Sequence, residues 1–260
     1  MRALRGAYVI WLREILRFLR EPMRILGMLV QPLLYLLLVG NGISHGFSLN
    51  QASGVNYLTF MFPGIVGMST LFTAIFGAVS IVWDREFGFL KIVLVSPVPR
   101  WAIALGKALG GASIAIVQGA FLLLLAPLVN VHLSFGGFFA MLGILALVSL
   151  ALTGLGILIA SRMSSMQGFQ VVMNFLVMPL FFLSGALYPL RGMPAWLNLL
   201  MHIDPLTYGV DGLRHIVYAG TPLLHVLTQF SLSQDIIVTA GVAIVLLLLS
   251  TWAFDAANAA

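Results

Sequence analysis

Asp84, Arg85, Glu86 and Lys91 stand close together in Trp83-Asp84-Arg85-Glu86-Phe87-Gly88-Phe89-Leu90-Lys91, between two long runs almost free of charge. Carboxylates beside basic groups can move protons or hold ions, but no companion set makes these catalytic. The chain has no H-E-x-x-H pair and no paired aspartates inside an apolar run, and Ser184-Gly185 lacks the preceding glycine of a G-x-S-G serine. His45, His132, His202, His215 and His225 show no close zinc-site spacing, so no metal is expected. A G-x-x-x-x-G-K-[ST] loop is also missing, so the chain has no such cradle for nucleotide phosphates and is not expected to be an enzyme. Recognition is the chemistry that remains. Asp84 and Glu86 suit the first turn of a short helix, at the positive end of its dipole. Phe87, Phe89, Leu90, Ile92, Val93, Leu94 and Val95 supply an apolar stripe, and Ser96-Pro97-Val98-Pro99 stops the helix. Such a segment suits docking into a groove on a soluble protein.

The elements that must position this segment are membrane spans. With 61% hydrophobic and 8% charged residues, the chain does not read as soluble and globular. It has no cysteine, which removes disulfides and thiolate-bound metals. A span needs about 20 apolar residues, and the runs give an all-α integral membrane protein of six transmembrane helices. Span one covers 25–43, span two 58–82 and span six 236–254. The uncharged stretch between Lys107 and Arg162 is too long for one helix. It is broken at Pro127, Asn130, His132, Gly136 and Gly137, giving spans three and four. Span five covers 167–190, and Pro179 predicts a kink or a re-entrant end. The span interiors carry no Asp, Glu, Lys or Arg, which argues against an ion-driven carrier.

Basic residues fix the orientation. Arg2, Arg5, Arg13, Arg17, Arg20 and Arg24 precede span one, and Arg85, Lys91, Arg100 and Lys107 fall between spans two and three. Arg162 falls between four and five, and only Arg191 and Arg214 lie on the other side, so both termini are expected in the cytoplasm. Residues 1–24 read as an amphipathic interfacial helix, with arginines at steps of four, three and four and with Leu4, Trp11, Ile15 and Phe18 opposite them. Its arginines meet anionic headgroups, a cytoplasmic partner, or both. Gly106 and Gly110 form a small-xxx-small pair suited to close helix contact. Residues 188–221 are too polar and proline-rich for a span, and read as short re-entrant outer helices acting either as a lid or as packing.

Two stretches carry a family resemblance. Asp84-Arg85-Glu86-Phe87-Gly88-Phe89-Leu90-Lys91, with Leu94-Val95-Ser96-Pro97-Val98-Pro99-Arg100, resembles the first coupling segment of ABC-2-type transporter permeases. Leu183-Ser184-Gly185-Ala186-Leu187-Tyr188-Pro189-Leu190, Met193-Pro194-Ala195-Trp196-Leu197 and Asp204-Pro205-Leu206-Thr207-Tyr208-Gly209-Val210-Asp211-Gly212-Leu213-Arg214 resemble the outer signature of the drug and lipooligosaccharide exporter branch, of the daunorubicin-resistance and nodulation-export type. The chain departs from the pattern at Asp204, where the family usually has Asn, and in a C-terminal tail without basic residues.

The resemblance implies a six-span permease domain over 25–260 in a bacterial or archaeal cytoplasmic membrane. It also implies two copies of a separate ABC ATPase, which hold the ATP and Mg, and a second permease copy that most simply forms a homodimer. The segment 83–100 would contact the ATPase through Asp84, Arg85, Glu86, Phe87, Gly88, Leu90 and Lys91. The expected path, on spans two and five, carries Phe62, Phe72, Phe76, Phe169, Phe175, Phe181 and Phe182, each of which has packing or lipid contact as its alternative role. The expected outer gate comprises Trp196, Asp204, Pro205, Tyr208, Asp211 and Arg214. The cargo would be a hydrophobic or amphipathic drug or lipid-linked molecule. The alternatives are a polysaccharide precursor and a non-transporting scaffold for an ATPase. Membrane lipid is an expected contact and nucleic acid is not.

Overall fold

The computed structural model describes residues 2–39, 57–90 and 98–257, and those residues form helices and connecting turns without strands. Residues 91–97, which hold Lys91 and most of the expected docking helix with its apolar stripe, lie outside the described residues, as do His45 and the far end of expected span one. Helix α1 (Arg2–Leu19) meets α2 (Pro22–Leu34) at a 77° bend. Pro22 opens α2 at a position where its missing N–H costs nothing. A short π-helical stretch, Tyr35–Val39, continues α2.

Expected span two is two helices, α3 (Tyr57–Gly77) and α4 (Val79–Glu86), broken at Ala78. Then come α5 (Arg100–Leu124), a 3-10 turn (Ala126–Val129) ending in left-handed Asn130, α6 (Phe135–Ala160) and α7 (Met166–Leu183). The block after α7 holds α8 (Ala195–Ile203), α9 (Pro205–Val217) and the single turn α10 (Leu224–Leu227), before α11 (Leu232–Ala257). Among the described residues, five stretches are long and apolar enough to cross a membrane: Tyr57–Glu86, α5, α6, α7 and Leu224–Ala257. The bent pair α1–α2 makes a sixth if it counts as one span.

Helix α6 is central, with α3, α5, α9 and α11 packed around it. Small residues let these helices approach. A Cβ on Gly156 of α6 would lie 2.8 Å from the Ile75 carbonyl oxygen at the α3–α4 break, and one on Gly111 of α5 would lie 2.9 Å from a Thr153 methyl. Helix α1 is seated on α5 through the Gly106–Gly110 pair. A Cβ on Gly106 would fall 2.6 Å from the Ala7 carbonyl oxygen, and one on Gly110 would fall 2.7 Å from Glu14 Cβ. Trp11 Nε1 donates to Ser113 Oγ at 3.0 Å, and Phe18 is buried, whereas Leu4 on the expected apolar face is exposed.

The structure differs from the sequence reading over charge in the spans. Lys107, placed before span three in that reading, lies two turns inside α5 and is buried, as is Asp84 near the end of α4. Helix α5 starts at Arg100, directly after the Pro97–Pro99 stop, so it carries the lysine inward. The lysine is tolerated there because acidic partners from two other helices meet it.

Candidate functional site

At the basic end of the bundle, Lys107 Nζ donates to Asp84 Oδ2 at 2.6 Å, to Ser80 Oγ at 3.1 Å and to Glu14 Oε1 at 3.2 Å. Arg13 Nη2 donates to the same Asp84 oxygen at 2.7 Å and to Glu14 Oε1 at 3.2 Å. Two carboxylates and two cations thus balance in one network, which ties α1 and α5 to α4. The next two residues reach the other way. Arg85 donates to the Met163 and Ser161 carbonyl oxygens at 2.6 and 2.8 Å, satisfying acceptors just past the C-terminus of α6. Glu86 Oε2 accepts the Met166 N–H at 3.1 Å, at the N-terminus of α7. Three consecutive side chains therefore fasten the end of α4 to α1, α5, α6 and α7.

What this arrangement leaves outward is Phe87, 77% exposed, and Phe89, 42% exposed, on either side of Gly88. Gly88 has a positive φ of 74°, which favours glycine. The Arg13 guanidinium carbon sits 4.8 Å from the Phe89 ring centroid, and that of Arg17 sits 4.9 Å from the Trp83 ring. Leu90 turns inward and is buried.

Above this end, a groove runs along the inside of the α1–α2 elbow. A cavity of about 440 Å³ is lined by α2, α3 and α5, among them Arg24, Gln31, Phe72, Phe76 and Gln118. A second, of about 340 Å³, shares Arg24 and Phe76 and continues toward Arg17 and Trp83. Phe72 and Phe76 stack with ring centroids 6.2 Å apart. Gln118 bridges the walls, accepting from Thr73 Oγ1 and donating to the Met28 carbonyl oxygen at 2.7 Å. The groove is therefore apolar and aromatic, with a few amide and hydroxyl groups inside and arginines at its mouth.

At the opposite end, α8 and α9 fold onto the bundle. Asp204 caps α9, accepting the Leu206 N–H at 2.9 Å. Burial pushes its carboxyl up to about 7, against hydrogen bonds from Leu206 and Thr207 that act in the lowering direction. Pro205 occupies the first turn of α9. Tyr208 donates to the His202 carbonyl oxygen at 2.9 Å and stacks on Phe230. Asp211 accepts the Gln229 and Phe230 N–H groups at 2.9 to 3.1 Å, fixing the turn before α11. Arg214 is fully buried. Its Nη2 donates to the Gly185 carbonyl oxygen at 2.5 Å, and its guanidinium carbon lies 4.3 Å from the Phe60 ring centroid. The backbone of this block presses onto α3, where a Cβ on Gly64 would lie 2.3 Å from the Ala186 carbonyl oxygen.

The residues expected to line a path are distributed among three environments. Phe72 and Phe76 face the groove. Phe62, Phe169 and Phe181 are buried in the core, while Phe175 and Phe182 are 84% and 51% exposed on α7. Of the expected gate, Trp196 is 67% exposed, whereas Asp204, Asp211 and Arg214 are interior. Sequence reasoning missed Glu14 and Lys107 as members of the charge network. Glu14 carried a signal, as a lone acid among the arginines of α1. It also left Gln31 and Gln118 out of the groove, because isolated amides in apolar runs have no spacing pattern to mark them.

Comparison with known proteins finds a family that covers most of the chain. The family model described as ABC-2 type transporter matches residues 6–218. The transport permease ycf38 of Cyanophora paradoxa is 29% identical over 229 residues, covering 87% of this chain and 78% of that protein. Nodulation protein J of Rhizobium meliloti (strain 1021) is 27% identical over 220 residues, covering 84% and 82%. YbhR of Escherichia coli (strain K12), named as a multidrug ABC transporter permease, is 30% identical over 164 residues, covering 62% of this chain and 44% of that protein.

Proposed function

The chain belongs to the ABC-2 type transporter family, and from that premise we propose that it is the membrane-spanning permease subunit of an ATP-driven exporter. Two copies of a separate ATPase supply ATP and Mg, and a second copy of this chain completes the path. The observation that carries the proposal is the fastening of Asp84, Arg85 and Glu86 to four other helices, beside the outward Phe87 and Phe89. An ATPase groove that grips the two phenylalanines pushes on one residue triplet, and the hydrogen bonds carry that push into α5 at Lys107 and to the ends of α6 and α7. The segment does not need to be stiff along its length, because each anchor is short and charge-assisted.

The cargo in this reading is a hydrophobic or amphipathic molecule such as a drug or lipid-linked compound, moved outward. The groove of Phe72, Phe76, Gln31 and Gln118 supports it, since mixed aromatic and amide walls suit an apolar body with a few polar groups. The names of the nodulation and multidrug relatives are consistent with such cargo. The exposed apolar face of α7, with Val171, Phe175 and Phe182, suits either lipid or the second permease copy. We place both termini in the cytoplasm of a bacterial or archaeal cell, read α1 as the interfacial helix and the stretch from α2 onward as the first of six spans, and assign the α8–α9 block to the outer leaflet as a re-entrant gate. Trp196 lies at its surface and Pro205 opens α9, while the buried Asp204, Tyr208, Asp211 and Arg214 hold its shape.

Affinity purification of the tagged chain from its native host tests this reading. A co-eluting ATPase in equal copy number is expected, together with export that fails when Phe87 and Phe89 are both replaced by Ser. Isolation without any ATPase, under conditions that preserve other membrane complexes, would overturn it.

A further inference from the structure

We propose that Asp211, His215 and Asp235 form a binding site for a divalent transition-metal ion, best suited to zinc, that clasps α9 to α11. Asp211 and His215 are one turn apart on α9, and Asp235 projects from the first turn of α11. One ligand atom from each of the three lies within 4.8 Å of the others, and His215 Nδ1 is 3.3 Å from Asp235 Oδ2. Ligand atoms on a tetrahedral zinc sit about 3.4 Å apart, given bonds of about 2.1 Å. The His215–Asp235 edge already has that length, and the Asp211 carboxylate stands within 4.8 Å of both partners, close enough to be drawn in by an ion.

A second, independent observation points into the same space. Asp235 is 1% exposed, and neither of its carboxylate oxygens accepts a hydrogen bond. A buried carboxylate without donors is costly unless a cation meets it. Among the described residues, His215 is the one basic group in ion-pair contact with it, and its Nδ1 also lies 3.2 Å from the Asp211 carbonyl oxygen. The Asp211 carboxylate, in contrast, is oriented by the Gln229 and Phe230 N–H groups. That leaves lone pairs for an ion and provides the kind of outer hydrogen bonds that fix a metal ligand. Two carboxylates and one imidazole make a hard-to-borderline donor set with no sulfur, and a three-residue set leaves a coordination position for water. The inference does not depend on the transport reading, because it rests on the contact between α9 and α11 alone.

The test uses the full-length chain, purified in detergent through a tag without histidine and stripped by chelator, then titrated with Co²⁺ and with Zn²⁺. The expected result is one Co²⁺ per chain with visible d–d absorption, displaced by one equivalent of Zn²⁺. Asp235→Asn and His215→Gln should each weaken binding at least tenfold, while His202→Gln, in α8 outside the cluster, should leave it unchanged. No stoichiometric uptake by the unaltered chain, or uptake that survives Asp235→Asn, overturns the proposal. If either variant fails to stay folded, X-ray absorption of the Zn²⁺-loaded unaltered chain decides. One imidazole with oxygen ligands supports the site, and two or more imidazoles put the ion on other histidines and overturn it.

Discussion

Lys107 Nζ lies 2.6 Å from Asp84 Oδ2, with both side chains almost wholly removed from solvent. The pair joins two helices that sequence reasoning separates by a loop, and Glu14 and Arg13 from α1 complete its charge balance. Breaking a buried pair strands the surviving charge, which costs about 3–5 kcal/mol. Lys107→Met and Asp84→Leu should each lower the thermal midpoint and the membrane yield sharply. The double variant should recover part of the loss, since neither charge is then stranded. A double-mutant cycle on melting of the detergent-purified chain measures the coupling, and additive losses would show that the two residues act independently.

Glu86 has two separable roles. Its Oε2 accepts the Met166 N–H at the start of α7, which an amide oxygen can also do, while its negative charge at the positive end of the α7 dipole needs a carboxylate. Glu86→Gln is expected to insert and melt like the unaltered chain but to export more slowly for each ATP hydrolysed. Glu86→Ala should lose export and also loosen α7. The comparison is made in vesicles by following hydrolysis and export together, and unchanged export per ATP in Glu86→Gln would remove this residue from coupling.

The seat of α1 on α5 has a clean test because the chain has no cysteine. Cysteines at Trp11 and Ser113, whose side chains touch through a hydrogen bond from the tip of the indole, should be joined by a short bifunctional thiol reagent. A Gly110→Leu change drives a side chain into Glu14, which a Cβ alone would approach to 2.7 Å. It should abolish that crosslink and expose α1 to protease. Persistence of the crosslink would mean that α1 can shift sideways without leaving α5.

How much of this was legible in the sequence depends on how local each signal is. Runs of apolar residues mark helices, because a span needs only length and hydropathy, so α3, α5, α6, α7 and α11 were readable, but the α3–α4 break at Ala78 was not, and α7 ends at Leu183, well short of the expected 190. The Gly106–Gly110 pair was likewise local, and it shapes the structure, as does Pro99, which precedes the first residue of α5. The charge network was not readable, because Lys107, Asp84 and Glu14 are 23 and 93 residues apart and only folding brings them together. The same holds at the opposite end. Asp211 and His215 are one turn apart in the sequence, but Asp235 reaches them only because α9 folds back along α11. Function resemblance located the segments that matter, while the inward turn of Asp84 and Arg214 came from packing that no motif encodes.

The α9 cap gives the last prediction. Asp204 is 2% exposed, and burial raises its carboxyl from the ordinary 3.8 to about 7. An acid whose folded value is raised binds more protons when folded than when unfolded, so stability falls as pH rises. Its contribution is fully present below about 4 and is lost as pH climbs through 7. The melting temperature of the purified chain should therefore decline between pH 5 and 8. Asp204→Asn should flatten that decline, because the amide oxygen still accepts the Leu206 N–H without ever ionising. At pH 8 the variant should be at least as stable as the unaltered chain. Asp204→Ala should instead lose about 1 kcal/mol at low pH through the missing cap. A decline of equal slope in Asp204→Asn would assign the pH dependence to another group and leave Asp204 as a cap alone.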